Sequence, residues 1–347
     1  MEELSPVDIL MLDYVEYGAI NDKSSFAGFW YYRYESNPQN ILNKLINLKL
    51  IYKALDIERN LKNTTLPELK LLLKENGLRV SGKKNDLIQR ILDNIQFDVL
   101  KDTYPEQYYA LSPEAKKILS RNEHIPYAHK HINWGLGITE IHNLKKSYPN
   151  LKESDLMWMY FEKESLLSAR KGDWGLFRNH KHHQAELLIE EDKYRDSLSF
   201  IFQVCFLDLS GLQNGFKKEY LFIYEKGFFP YRQSIATLTK HHIELIAKIK
   251  DTINISDVEL KSLYVDSVGD LNLPFHLFTL DETFQILKYE LENNLDHLEN
   301  IYKDAEKRYY SKQKSATNMN IKKSITPTLE SKKNKGFLSF LFKNKKG

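Results

Sequence analysis

Residues 62–97 hold seven basic side chains: Lys62, Lys70, Lys74, Arg79, Lys83, Lys84 and Arg90. Only Glu68, Glu75, Asp86 and Asp93 oppose them, leaving a net charge of +3 in this stretch. Ser81-Gly82 stands directly before Lys83 and Lys84, where an apolar helical pattern begins. Backbone N–H groups at the start of a helix, with ammonium groups beside them, suit a phosphate. The chemistry offered is contact with a phosphodiester backbone; no side chain here is arranged to read base edges.

Other chemically able groups are less organised. Phe26-Ala-Gly-Phe-Trp-Tyr-Tyr-Arg33-Tyr34 is dense in aromatics, which either stack on unpaired bases or form a helix-packing core; packing is the reading adopted. His124, His129 and His131 form one histidine group, and His180, His182 and His183 another. Neither has the i, i+4 spacing with supporting carboxylates that a zinc site usually shows, so no metal or other cofactor is expected. Gly135-x-Gly137 lacks a preceding strand and a third glycine, and no nucleophile elbow or phosphate loop occurs. No catalytic residue is nominated.

Two helical segments must position the basic residues. Thr64 or Thr65 is placed to cap a helix running to Glu75, with Leu66, Leu69, Leu72 and Leu73 inward. Asn76-Gly77 ends it, glycine being suited to positive φ. The second helix spans about Lys83 to Ile95, with Leu87, Ile88, Ile91, Leu92 and Ile95 inward. This pair is expected as an autonomous unit, 63–97.

Around it, residues 6–54 read as helices leading to a strand at Leu50-Ile51-Tyr52. The best marked helix is Pro38–Leu48, with Asn37 as cap. Tyr108–Leu111 is a second strand, and Ser112-Pro-Glu-Ala115 opens a helix ending near Ser120. From Ile138 onward helices dominate. Periodicity predicts them at Ser154–Ala169, Gln184–Leu207, Tyr231–Ile253, Ser256–Val265 and Asp281–Tyr310.

Thr65-Leu66-Pro67-Glu68-Leu69-Lys70, Leu73, Gly77-Leu78, Ser81-Gly82-Lys83-Lys84, Asp86-Leu87 and Arg90-Ile91 closely resemble the SAP domain family, a helix-turn-helix-like DNA-binding motif. The resemblance implies sequence-tolerant binding of duplex DNA, often with A·T preference. It nominates Lys70, Lys74, Arg79, Ser81, Gly82, Lys83, Lys84 and Arg90 as the DNA-binding set. More loosely, residues 1–62 and 98–131 resemble a winged-helix domain into which the SAP-like unit is inserted. The stretch Ala185–Leu198 resembles the turn of a tetratricopeptide-type helix pair, without a visible 34-residue repeat. The expected fold class is mainly α: a winged-helix-like domain, the insert, an irregular helical domain at 132–310 of repeat-like or bundle type, and a disordered basic tail at 311–347.

Charge sorts along the same lines. The chain of 347 residues has net charge +3. Residues 311–347 contain ten lysines against Glu330, a net +9, so the other 310 residues carry −6. A nucleic-acid argument therefore rests on a local patch. The tail ends in Phe337, Leu338, Phe340, Leu341 and Phe342 among lysines, a pattern suited to an anionic membrane surface or a groove on a partner protein. Cys205 is the single cysteine, excluding an intramolecular disulfide. No apolar run of about 18 residues occurs, so a cytoplasmic, DNA-associated protein is expected.

The function expected is non-catalytic: duplex DNA held by the insert and a protein partner held by residues 138–310. The alternatives are an interaction scaffold without DNA binding, and an enzyme (a nuclease accessory) whose site lies in 138–310.

Overall fold

Ser5 begins the first helix. Its hydroxyl accepts the Asp8 N–H at 3.2 Å, and the Asp8 carboxylate accepts the Ser5 N–H at 2.8 Å. The reciprocal pair satisfies two amides that the first turn cannot. In this computed structural model, which describes residues 3–212 and 221–324, that helix is α1 (Pro6–Gly18), followed by α2 (Phe29–Tyr32) and α3 (Pro38–Asn47). The Asn37 side chain caps α3 as expected. Strand β1 (Ile51–Leu55) precedes α4 (Ile57–Asn63), α5 (Leu66–Glu75), α6 (Lys84–Asn94) and α7 (Phe97–Thr103). Strand β2 (Gln107–Leu111), α8 (Pro113–Ser120), α9 (His124–Lys130) and α10 (Ile138–Ser147) follow, and then α11 (Glu153–Lys171). The fold is mainly α.

Two compact units divide the chain, 1–163 and 164–347. The division lies beyond the expected boundary at 131/132, because Leu136, Ile138 and Ile141 are buried and α10 packs on α1 and α9. In the first unit β1 and β2 form an antiparallel ribbon, Ile51 opposite Leu111 and Leu55 opposite Gln107. Helix α1 packs on α3, α8 and β2. Trp30 is fully buried, with Tyr14, Phe29 and Tyr34 around it at 5.0–6.1 Å between ring centroids. The aromatic run is thus largely core, while Tyr31 and Tyr32 face outward.

Hairpin strands are usually joined by two to five residues; here α4–α7 intervene. Asn60 ties the two ends of this insertion: its buried amide donates to the carbonyls of Asp56 at 2.9 Å and Glu106 at 2.8 Å. The insertion has its own core, and it is larger than a two-helix hairpin. Ile57 and Leu61 of α4 and Leu100 of α7 join Leu69, Leu72, Leu73, Leu87, Ile88, Ile91 and Ile95. Two short helices expose too much of each other's apolar faces, and the flanking helices cover them. Leu66, expected inward, is 40% exposed.

Replacing 63–97 by a short Gly/Ser linker therefore returns Ile57, Leu61 and Leu100 to water at roughly 1.5–3 kcal/mol each. Excising 57–103 removes that core whole. The shorter excision is expected to lower the denaturant midpoint of the first unit, and the longer one to keep a cooperative transition. Equal loss of cooperativity in both, followed by circular dichroism, would refute a separate core.

The second unit contains α12 (Trp174–Glu190), α13 (Tyr194–Leu209), α14 (Leu221–Tyr224), α15 (Lys240–Ile253), α16 (Asp257–Val268), α17 (Leu280–Leu291) and α18 (Leu295–Ser324). Helix α13 runs through its core, burying Leu198, Ile201, Phe202, Cys205 and Leu209 against α12, α15 and α16. Three expectations are corrected. The helix predicted at Gln184–Leu207 is broken between α12 and α13, where Asp192 has φ 57°. That at Asp281–Tyr310 is broken between α17 and α18 at Asn293, with φ 53°. Residues 231–233 form a short 3-10 turn, so α15 starts only at Lys240, capped by Thr239. Helix α18 runs on past Ser311 to Ser324, a stretch that contains no glycine or proline to stop a helix. Phe337, Leu338, Phe340, Leu341 and Phe342 lie outside the described residues.

Candidate nucleic-acid interface

Helix α5 starts at a reciprocal cap: the Glu68 carboxylate accepts from Thr65 N–H at 2.9 Å and Thr65 hydroxyl at 2.6 Å. These bonds lower the Glu68 pKa. The helix ends at Gly77, φ 69°, and Lys70 and Lys74 are exposed on it one turn apart. The chain then crosses to α6 through Leu78–Lys83.

This loop gathers the remaining candidates. Arg79, Ser81, Gly82 and Lys83 are exposed, while Lys84 and Arg90 are half-buried. Arg79 Nε donates to Ser81 Oγ at 2.6 Å. Lys84 Nζ donates to the carbonyl of Lys62 at 2.6 Å, fastening the start of α6 to the end of α4. Arg90 Nη1 donates to the carbonyls of Arg79 at 2.5 Å and Ser81 at 3.1 Å. The Lys83 N–H donates to Asp86 Oδ2 at 2.9 Å. Phosphate attraction at this end thus falls to the side chains more than to that amide.

Gly82 has φ 137°, and a Cβ there would stand 3.2 Å from Asp86 Cβ. Such backbone is nearly confined to glycine and costs other residues about 1–3 kcal/mol. Gly82→Ala is expected to destabilise the module by that amount, read as a lower urea midpoint; an unchanged midpoint would show that the loop relaxes freely.

Several lysines of the surrounding first unit are paired, while Lys49, Lys101, Lys117, Lys152 and Lys163 show no ion pair among the described residues. Lys23 pairs with Glu106, Lys44 with Asp8, Lys53 with Asp22, Lys116 with Glu16 and Lys146 with Glu3. Lys70, Lys74 and Lys83 have no ion-pair partner among the described residues. Unneutralised ammonium groups are what a polyanion exchanges for its counterions.

The histidine groups separate in the structure. His124 Nε2 meets His142 Nδ1 at 3.0 Å, His129 Nδ1 meets Tyr34 Oη at 2.6 Å, and His131 Nδ1 meets the Tyr127 carbonyl at 2.9 Å. In the second unit His182 and His183 flank Glu186 at 3.6 and 3.0 Å. A convergence that the sequence did not disclose lies beside them. Arg178 grips Asp208 through two bonds of 2.9 and 3.0 Å, and His242 Nε2 stands 3.4 Å from His182 Nδ1. Arg178, His182 and Glu186 share a helix face at spacing four, but Asp208 and His242 arrive from other helices. Among the described residues no group of three or more His, Cys, Asp or Glu has metal-holding geometry, and no helix is long and apolar enough to cross a membrane.

A family model of the SAP domain matches residues 60–96, from Asn60 in α4 to the residue before α7. The resemblance read in the sequence is therefore shown for this segment, about a tenth of the chain, and it points to nucleic-acid binding there. No curated protein and no solved structure matches the chain.

Proposed function

We propose that this chain binds duplex DNA, with little sequence preference, through the α5–α6 side of its SAP module. The observation that carries the reading is the coincidence of the SAP match at 60–96 with three exposed lysines inside it, Lys70, Lys74 and Lys83, that have no carboxylate partner among the described residues. Arg79, Ser81 and Gly82 in the loop, with Lys84 and Arg90 on α6, complete the candidate surface. Helices α1, α3 and α8 around the β1–β2 ribbon favour a winged-helix-like host for the module. The Asn60 clasp supports delivery of module and host to DNA as one body. The test is titration of a fluorescent duplex with the full chain between 50 and 300 mM salt. A linear fall of log K against log salt supports the reading, and absence of binding at 50 mM salt refutes it.

A further inference from the structure

The loop between α5 and α6 is exposed, contains Gly82, and would sample many conformations if left to itself. It is instead tied at both ends. Arg90, projecting from the middle of α6, reaches back to the carbonyls of Arg79 and Ser81 with one nitrogen, Nη1. Asp86, one turn earlier on the same helix, takes the Lys83 N–H. Arg79 Nε closes a smaller ring on Ser81 Oγ.

The surroundings of Arg90 differ from those of a phosphate ligand. It is half-buried, whereas Arg79, Ser81 and Lys83 are exposed. Its Nη1 faces two carbonyl oxygens, whose partial negative charge would also repel a phosphate oxygen brought to that nitrogen. The charge of Arg90 is spent on the backbone of the segment that carries Arg79 and Lys83. A planar guanidinium with several fixed donors suits this work.

We propose that Arg90 is a positioning residue of the interface: it holds the Arg79–Lys83 loop in the conformation that meets phosphate, and does not itself contact the ligand. This rests on the DNA reading above and deepens it. A preordered loop spares binding the cost of ordering it, so affinity falls when the clasp is cut even though the phosphate-facing charges remain.

The test uses the full chain as wild type, R90A, K83A and the double variant, with a fluorescent duplex over 50–300 mM salt. In the wild-type background K83A is expected to lower the salt slope by about 0.9, one phosphate contact. In the R90A background the same change is expected to have little further effect on slope or affinity, a coupling of about threefold or more. Without DNA, the amide order parameters of Val80–Lys83 in R90A are expected to fall from about 0.85 towards 0.6, while the thermal transition of the module stays in place. Additive slopes, with R90A alone removing about 0.9, would make Arg90 an ordinary phosphate contact and overturn the proposal. An equally rigid loop in R90A would overturn it as well. If the wild type shows no salt-dependent duplex binding, the DNA reading falls separately, and the order parameters alone decide whether Arg90 holds the loop.

Discussion

Reversing the charge of Lys83 and Lys84 together is expected to remove most duplex binding by the full chain. Each lysine that neutralises a phosphate releases condensed counterion from DNA and contributes about 0.9 to the slope of log K against log salt. Loss of both contacts should reduce the slope by about 2. The advantage of wild type over the K83E/K84E variant should therefore shrink by about tenfold between 50 and 200 mM salt. Lys83 is exposed, without an ion-pair partner among the described residues, and sits in the loop held by Arg90. Lys84 is committed in part to the Lys62 carbonyl, so its single reversal should be the weaker of the two. Lys23→Glu provides the contrast: that lysine is 85% exposed but paired with Glu106 at 3.0 Å, and its reversal should leave the slope within about 0.5 of wild type. An unchanged slope in K83E/K84E would place the DNA contact elsewhere or abolish the reading.

The parts of this interface that could be read from the sequence are those written in local spacing. Thr65 with Glu68, the leucines of α5, Gly77 and the apolar face of α6 all act within a few residues of one another. What could not be read depends on segments meeting in space. The cover that α4 and α7 give the module is invisible locally, because Ile57, Leu61 and Leu100 look like core for any neighbour. Arg90 reads as one more positive charge until folding brings the carbonyls of Arg79 and Ser81 to it. The helix breaks were obscured for a different reason. Asp192 and Asn293 take left-handed backbone without glycine or proline to mark it, and the apolar period runs on through both turns. Sixty residues separate His182 from His242, so neither histidine group in the sequence could announce that pair.

Acid is expected to destabilise the second unit as pH falls below about 6.5. His276 Nε2 donates to the Phe206 carbonyl at 3.0 Å, and its Nδ1 accepts the Phe278 N–H at 3.1 Å. That arrangement uses one donor and one acceptor, so the ring is neutral, and a second proton would face the Phe278 N–H. Burial pushes the His276 pKa down to about 4. His242 is held lower still, to about 3, first by burial and then by the Arg178 guanidinium, with His182 and His241 acting in the same direction; Asp208 Oδ2 lies 3.6 Å away and Thr239 Oγ1 2.9 Å. An unfolded histidine titrates near 6.5. Between that value and the folded one, the unfolded chain binds more protons, so stability rises with pH there. It is fully present above about pH 7 and lost progressively as pH falls from about 6.5 towards 4 for His276 and towards 3 for His242. At 1.36 kcal/mol per pKa unit, His276 alone accounts for on the order of 3 kcal/mol. Hydrogen exchange of the α13 amides at pH 7, 5.5 and 4.5, corrected for intrinsic rates, should show their opening free energy falling by that much or more. His276→Gln should be less stable at pH 7 yet lose its share of the pH slope, because the titrating group is gone. An opening free energy that stays level from pH 7 to 4.5 would mean that the buried histidines accept protons without opening the fold.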